Sequence, residues 1–383
     1  MRLLKKFLAL ALVIINVFIC TSCWDYKDVE KYNIVIGCAV DKDNRDNQYV
    51  ITLELIKPKP QEKELQSELS ESKGSTILEA IRNAISKMGK KGYWAHTTML
   101  IFSEKVISED ITTVMDLFYR GAEIRGDVLI LISKEETAKE ILQINHSIKE
   151  IRTDRLEYIV DNQKSSPKYP KTRLINIVAN LASKDTAMLV PIVNIKKSDD
   201  KFEPEISGSA VLKYDKITGY LNGEETQYSL MVEDKLKSGL IVVQNIADTK
   251  NNITFEILDN KTKVKPVFSN GEITMKVDVD TTVNISELNG NLDFSKEDIE
   301  EMIKREGEKV IKARLESIIK KLQNEYKSDV FGFGKKVEIK NPKLWKKLKE
   351  NWSEEFSSLP VEVNVDLNIK GSVLASKPMK GGK

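Results

Sequence analysis

Two stretches in the C-terminal half of the chain alternate between apolar and polar residues at every second position. From Ile273 to Ile285 the odd-numbered residues are apolar, with Thr281 as the exception, and the even-numbered residues are polar. The same alternation runs from Val361 to Ile369. Successive side chains of a β-strand point to opposite faces, so each stretch predicts a strand with one buried and one solvated face. We expect both strands in one antiparallel sheet with an open face.

Between these two stretches, residues 296–327 carry apolar side chains at the spacing of one helix face. The apolar positions are Ile299, Met302, Ile303, Val310, Leu315, Ile318, Ile319, Leu322 and Tyr326. A helix that packs its apolar side over one face of an antiparallel sheet gives an α+β domain. The C-terminal region is therefore predicted to be an antiparallel sheet packed against a long helix.

The N-terminal half alternates short apolar runs with single amphipathic segments. Strands are expected at 32–42, 49–56, 96–104 and 127–133, and helices at 76–88 and 107–121. Thr76 and Glu79 form a capping-box pattern at the start of the first of these helices. Single helices between strands are typical of an α/β layer. The charged residues 57–74 are interpreted instead as a solvated surface loop.

A polar segment at residues 197–205 separates the two patterns, and the main domain boundary is predicted there. A chain of 383 residues exceeds what one core normally covers, so the expected fold class is multidomain and mixes α/β with α+β structure. The N-terminal α/β region is assigned to residues 23–198, which could form two subdomains split near residue 132. The C-terminal α+β domain is assigned to residues 199–377 and is followed by a tail at 378–383.

The first 22 residues have the layout of a secretory signal. Three basic residues precede an apolar run, residues 7–19, that is shorter than the about 20 residues of a membrane-spanning helix. A Thr-Ser pair then precedes Cys23, and a lipoprotein signal ends in small residues before the modified cysteine. Bulky residues precede Cys20, so Cys23 is the predicted site of lipid attachment, and an ordinary cleaved signal peptide is the alternative. Residues 1–22 would be a cleaved lipoprotein signal peptide, and diacylglycerol on Cys23 would hold the protein on a membrane.

The charge balance and the cysteine count narrow the possible functions. The chain has 60 basic and 58 acidic residues, and loss of the three basic residues of the signal leaves it nearly neutral. Nucleic-acid binding needs a concentrated basic face, so no nucleic acid is expected as a partner. With Cys20 removed and Cys23 modified, Cys38 is the one possible free thiol, and its apolar surroundings predict a small buried side chain.

The sequence offers little chemistry for catalysis. His96 and His146 lie on different predicted elements without a spaced cysteine pair, so no metal site is predicted. Residues 89–92 are too short for a phosphate-binding loop, and Gly208-Ser209 lacks the second glycine of a nucleophile elbow. We therefore predict no enzymatic activity, no catalytic residues and no cofactor.

One amphipathic segment near the C-terminus has two interpretations. Trp345, Leu348, Trp352 and Phe356 recur at helical spacing, with lysines between them. The segment could be a helix that covers the sheet, or a contact surface for a partner or a membrane.

Three segments in combination are similar to one known family. They are "SCWDYKDVEKYNIVIGCAVDKD" at the expected mature start, "ISGSAVLKYDKITGYLNGEETQ" from residue 206, and "YKSDVFGFGKKVEIKNPKLWKKLKENWSEEF" from residue 326. On these segments the chain resembles the Ger(x)C family of spore germination lipoproteins, the C subunits of nutrient germinant receptors. Cys20 and Cys38 depart from the residues usual at their positions in the family.

The resemblance implies a function in spore germination. Family members have three α/β domains, which agrees with the predicted ranges if residues 23–198 form two. They are held by their N-terminal lipid on the outer face of the spore inner membrane. Their partners are a transporter-like membrane subunit and a subunit with a soluble domain, and their role is receptor assembly or signal relay. Only Cys23 carries over as a functional residue. An extracytoplasmic lipoprotein that binds a small ligand is the alternative, and an envelope hydrolase is a further rival.

Overall fold

The computed structural model describes residues 2–20, 31–57, 66–121, 123–144, 151–183, 187–199, 201–246, 252–289 and 297–372. The N-terminal helix α1 (Arg2–Cys20) is followed by two sheets that share a core cluster. Cys23, His146, residues 58–65 and the predicted tail lie outside the described residues.

The larger sheet has nine strands in the order β3-β2-β1-β5-β6-β7-β8-β9, with β4 paired to β1. The strands are β1 (Tyr32–Lys42), β2 (Tyr49–Lys57), β3 (Gln66–Gly74), β4 (Lys91–Tyr93), β5 (Met99–Ser103), β6 (Leu129–Ser133), β7 (Ala187–Ser198), β8 (Lys201–Lys213) and β9 (Lys216–Leu221). Neighbouring strands among β1, β5, β6 and β7 are parallel, and antiparallel hairpins flank them on both sides. Helices cover both faces of the parallel centre, which explains the continuous apolar runs of these strands.

In the described part of the chain, five helices between β3 and β7 pack on the larger sheet. They are α2 (Ile77–Met88), α3 (Glu104–Arg120), α4 (Lys139–Gln143), α5 (Arg152–Asp161) and α6 (Leu174–Ser183). Side chains of α2, α3 and α6 share one core cluster with the sheet, and side chains of α4 and α5 share another. The predicted helix at 76–88 is confirmed, and Thr76 Oγ1 accepts the hydrogen bond from the backbone N–H of Glu79 at 3.1 Å.

Two buried carboxylates of the larger sheet cap the helices on its second face. Asp41 accepts hydrogen bonds from the backbone N–H groups of Ala138 (2.6 Å) and Lys139 (3.0 Å) at the start of α4. Glu54 accepts in the same way from Arg152 (2.8 Å) and Thr153 (3.0 Å) at the start of α5. The first N–H groups of a helix have no partner within the helix, so these carboxylates hold α4 and α5 to the strands.

The smaller sheet has four strands in the order β10-β11-β12-β13. They are β10 (Gly239–Val243), β11 (Asn252–Ser269), β12 (Glu272–Asn289) and β13 (Val361–Ser372). The long helix α8 (Glu297–Asn324) contributes Ile303, Ile311 and Leu315 to the core beneath this sheet. The predicted fold class, mixed α and β structure with a long helix on the C-terminal sheet, is confirmed. Both strands predicted from alternation lie in this sheet, but the prediction that the sheet is antiparallel is wrong for their own pairing. β12 and β13 run parallel because the chain crosses over through α8 before it re-enters the sheet.

The prediction of a loop at residues 57–74 is wrong for its second part, which forms strand β3. β3 lies at the edge of the larger sheet, and its serines and charged residues are mostly half-exposed. Charged side chains at a sheet edge oppose pairing with another chain. They also leave this strand without the apolar run that would predict it from the sequence.

The polar segment predicted as a boundary, residues 197–205, forms the solvated end of the β7–β8 hairpin. The larger sheet continues through this hairpin to Leu221, and the chain enters the smaller sheet at Gly239. Residue 132 likewise lies within β6 of the same sheet. The segment is polar because it protrudes into solvent, and the assignment of domain ranges stays a prediction.

Residues 333–358, which include Trp345 and Trp352, form short helices that pack against the core of the smaller sheet. These residues contain α9 (Phe333–Lys340), α10 (Pro342–Leu348) and α11 (Trp352–Ser358), and an earlier short helix, α7 (Gly223–Val232), lies nearby in the same core. Trp345, Trp352 and Phe356 are at most 5% exposed, so the interpretation as a packed cover is confirmed. The alternative, a partner or membrane contact through these rings, is wrong because they face the core.

Candidate functional site at the junction of the two sheets

One core cluster joins the two sheets. Leu189 and Val211 of the larger sheet belong to the same buried cluster as Phe255 and Val277 of the smaller sheet. Residues 326–329, which we call the junction segment, lie between α8 and α9 and contact the last strands of the larger sheet. The junction segment is therefore placed to couple the position of one sheet to the other.

The junction segment begins with an aromatic contact. The hydroxyl of Tyr326 donates a hydrogen bond to the backbone carbonyl of Tyr220 at 2.9 Å. A Cβ atom on Gly219 would lie 2.3 Å from the Tyr326 ring, so only glycine allows this approach. The hydroxyls of Thr218 and Ser328 are also 3.0 Å apart. β9 is thus bonded to the junction segment through both side chains and backbone.

Backbone groups of the junction segment bind the neighbouring strands. The backbone N–H of Ala187 donates to the carbonyl of Asp329 at 3.1 Å, at the start of β7. The ammonium group of Lys213, at the end of β8, donates to the carbonyl of Lys327 at 2.7 Å. Lys327 has a φ of 46°, which turns its carbonyl out of the helical path. All three final strands of the larger sheet therefore contact the junction segment.

The side chain of Asp329 continues the connection into the C-terminal helices. Its carboxylate accepts hydrogen bonds from the backbone N–H groups of Phe333 (3.0 Å) and Gly334 (2.8 Å) and from Trp352 Nε1 (2.9 Å). A Cβ atom on Gly334 would lie 2.7 Å from Trp345 and 2.8 Å from Trp352, so the indole rings close over this glycine. Asp329 therefore links the start of α9, the start of α11 and the larger sheet.

Two carboxyl groups at the junction have little solvent exposure, at 4% for Asp329 and 11% for the side chain of Glu233. Burial raises the pKa of Asp329, and the N–H donors that bind its carboxylate act in the opposite direction. Burial also raises the pKa of Glu233, with a further contribution from Asp329, while Lys235 opposes the shift. Oε1 of Glu233 has no hydrogen-bond partner among the described residues, and Oε2 accepts from Lys235. The junction consequently binds protons more readily in the folded state than in the unfolded state.

The pH dependence of stability tests this arrangement. The folded-state pKa of Glu233 lies above the unfolded value of about 4.3, so its contribution favours folding at low pH and is lost as the pH rises through the folded pKa. We expect Glu233→Gln to be more stable than the wild type at neutral pH and to lose less stability as the pH rises from about 4.3 towards neutral. Denaturant unfolding across this range measures both effects. Glu355→Gln, on the exposed side of α11, is the control, and an equal slope in wild type and Glu233→Gln would contradict the expectation.

The remaining candidate residues lie apart from the junction. Cys38 is fully buried, burial raises the pKa of its thiol, and the prediction of a small buried side chain is confirmed. His96 is exposed beside the ring of Tyr93, at 5.6 Å between ring centroids. Cys23 and His146 are not among the described residues.

The described residues contain neither a metal-binding cluster nor a membrane-spanning helix. In them, no group of three or more His, Cys, Asp or Glu side chains is arranged to hold a metal ion. Likewise, no helix in the described part of the chain is both long and apolar enough to cross a membrane.

Asp329 is the functional candidate that sequence reasoning missed. It lies in the segment "DVFGFG" at residues 329–334, whose residue pattern matches no known functional motif. The available signal was a single acidic residue beside two phenylalanines and two glycines. Such a carboxylate needs partners when it is buried, and Gly332 with a φ of 69° supplies the turn that brings the N–H groups to it.

Comparison with known proteins gives matches along nearly the whole chain. A family model described as spore germination protein N-terminal domain matches residues 25–195. A second, described as spore germination B3/GerAC like, C-terminal, matches residues 207–373. The gap between the two models lies within the β7–β8 hairpin and the start of β8.

Curated relatives and a solved structure agree with these models. Spore germination protein KC of Bacillus subtilis is 23% identical, over 99% of this chain and 98% of that protein. Spore germination protein B3 of the same organism is 25% identical, over 91% of this chain and 93% of that protein. The crystal structure of the GerBC protein superimposes with a TM-score of 0.60 at 22% identity, over 87% of this chain and 97% of that chain, which shows a shared fold.

Proposed function

The chain belongs to the Ger(x)C family of spore germination proteins, and from this premise we propose that it is the C subunit of a nutrient germinant receptor. The observation that carries the proposal is the match of both family models, which together follow the chain from residue 25 to residue 373. In this proposal the protein works through contacts with a transporter-like membrane subunit and a subunit with a soluble domain. It catalyses no reaction.

The proposal includes a lipid on Cys23 that holds the protein on the outer face of the spore inner membrane. The support is in the sequence: basic residues, a short apolar run and small residues directly before Cys23. Two acyl chains at about 0.8 kcal/mol per buried methylene are enough for stable attachment of a folded body.

Replacement of the modified cysteine tests the attachment. We expect Cys23→Ala to abolish recovery of the protein in the spore membrane fraction, or to leave an uncleaved precursor, because no thiol is available for the lipid. Fractionation of spore lysates and mass spectrometry of the mature N-terminus measure the result. Cys20→Ala and Cys38→Ala are the matched controls and should retain attachment; normal cleavage and membrane recovery of Cys23→Ala would refute the assignment.

The junction supports a role in signal relay or assembly. The larger sheet is connected to α9 and α11 through the backbone and carboxylate of Asp329. A displacement of the last strands of the larger sheet would therefore move the C-terminal helices as well. This role can be tested with a variant that weakens the junction but stays attached to the membrane. Spores that carry it should germinate with a delay while the protein is recovered normally in the membrane fraction, and this result separates the role from attachment.

A further inference from the structure

A polar cavity lies at the carboxyl ends of the parallel strands β1 and β5. It has a volume of about 390 Å³ and is lined by the residues that end these strands, by the turn after β1 and by the start of α4 with the residues before it. Lys105 of α3 and two residues of β3, Glu71 and Lys73, complete the lining. We call this feature the strand-end cavity. The carboxyl ends of parallel strands, with the helices that start there, are the common position of ligands in α/β sheets.

Ser103 is a buried hydroxyl that lines this cavity. It ends β5, it is the cap residue of α3, and it is 3% exposed. Burial raises the pKa of the neighbouring Asp41, and the Ser103 hydroxyl opposes this rise. Even so, Ser103 Oγ makes no hydrogen bond of normal geometry to a described residue. Buried hydroxyls usually have a partner, so one that lacks it beside a cavity indicates a ligand that supplies the bond.

The start of α3 adds backbone donors at the same place. The side chain of Ser103 makes no capping hydrogen bond to this 17-residue helix, and Ser103 and Lys105, on either side of its first residue, both line the cavity. The neighbouring α4 differs, because Asp41 accepts from its first N–H groups. The N–H groups at the positive end of a helix dipole favour an anion, and phosphate groups are bound in this way in nucleotide-binding folds.

The carboxylates that line the cavity are largely compensated. Five of the lining residues are basic and four are acidic, so positive charge is in excess. Asp43 pairs with Lys73, Glu71 pairs with Lys139 at 2.5 Å, and Glu136 is exposed to solvent. In the described part of the chain, no group of three or more acidic, histidine or cysteine side chains is arranged to hold a metal ion. An anionic ligand therefore fits the lining better than a metal cation.

Two basic side chains of the lining are available for such a ligand. The ammonium group of Lys105 donates to the neutral side chain of Asn44 at 2.8 Å, and no carboxylate of the described residues forms an ion pair with it. Arg45, in the turn after β1, likewise forms no ion pair with a described carboxylate. Ammonium and guanidinium groups bind phosphate through charge-assisted hydrogen bonds.

We propose that the strand-end cavity binds the phosphate group of a small molecule. Ser103 Oγ and the first N–H groups of α3 donate to the phosphate oxygens, and Lys105 and Arg45 neutralise the charge. The proposal goes beyond receptor contacts because it gives this chain a ligand of its own. A soluble phosphate compound and a lipid headgroup present the same chemistry, and the experiment distinguishes these two sources.

Titration with inorganic phosphate tests the site. The full chain in a neutral detergent should bind phosphate with a dissociation constant of about 1 mM or lower, measured by phosphorus NMR. Lys105→Gln should weaken binding about tenfold and Ser103→Ala about fivefold, because each removes a hydrogen bond to the anion. The matched controls are Lys346→Gln on the exposed side of α10 and Ser229→Ala, a buried serine of α7 that bonds to a backbone carbonyl, and both should bind as the wild type does.

Phosphatidic acid in the same detergent identifies the source of the phosphate, with phosphatidylcholine as the control for lipid insertion. Binding of free phosphate supports a soluble ligand, and binding of phosphatidic acid alone, weakened by the same substitutions, supports a lipid headgroup. Thermal unfolding verifies that the variants fold, and Lys105→Gln decides if Ser103→Ala does not, because Lys105 is only half-buried. Unchanged binding in either folded cavity variant, or no binding of either probe up to about 20 mM, would overturn the proposal. The titration needs no other receptor subunit, so its result does not depend on the proposed function.

Discussion

Asp329→Ala is expected to lower the free energy of unfolding by about 3 to 5 kcal/mol. The substitution removes the acceptor of three buried donors, the N–H groups of Phe333 and Gly334 and the indole Nε1–H of Trp352. A buried donor that loses its acceptor costs about 1 to 3 kcal/mol, and the alanine also leaves a cavity. Denaturant unfolding followed by tryptophan fluorescence measures the loss, because Trp345 and Trp352 lie at the site.

Two further variants show whether the loss comes from the hydrogen bonds. Asp116→Ala removes an exposed carboxylate that pairs with Arg120 on α3, and it should change stability by no more than about 0.5 kcal/mol. Asp329→Asn keeps one acceptor oxygen and should fall between the wild type and alanine. A loss at Asp329→Ala no larger than that of the surface control would show that the junction does not depend on this carboxylate.

Glu54→Ala is expected to be the second most destabilising change, at about 3 to 4 kcal/mol. Glu54 is fully buried and accepts from the backbone N–H groups of Arg152 and Thr153, from Thr153 Oγ1 at 2.8 Å and from Ser67 Oγ at 2.5 Å. Without it, the start of α5 has unpaired N–H groups in a buried position. Denaturant unfolding gives the magnitude, and hydrogen exchange should show the earliest loss of protection in α5.

The matched control for Glu54 is Glu301→Ala, which breaks an exposed pair with Arg305 one turn along α8. It should cost about 0.5 kcal/mol or less. If Glu54→Ala unfolds at the same denaturant concentration as this control, the capping of α5 from strand β2 contributes little.

Elements whose signal is local in the sequence were predictable. The strands β1, β5 and β6 appear as continuous apolar runs because helices bury both of their faces. Strands β12 and β13 alternate because only one face is buried. Helix α2 begins directly after Thr76, because this cap residue and the N–H that it binds are three residues apart in the sequence. In each case the residues that decide the structure are close neighbours in the chain.

Features that depend on distant partners were not predictable. The helices α4 and α5 begin after Ala138 and Ile151, whose side chains cannot accept a hydrogen bond, and their caps come from strands about a hundred residues earlier. The parallel pairing of β13 depends on the path of the intervening helices. The role of Asp329 depends on Trp352, which is 23 residues away. Local sequence patterns do not indicate contacts between residues so far apart in the chain.

The hairpin of β7 and β8 determines where the chain can be divided for expression. A fragment that stops at residue 198 would lack β8 and β9 and would leave one whole edge of the twelve-residue strand β7 without its partner. A bare edge of that length is a template for self-association. The complementary fragment would begin with two strands separated from the sheet that they complete. The two halves of the sequence are thus poor candidates for isolated production at that point, and a cut beyond Leu221 keeps the larger sheet whole.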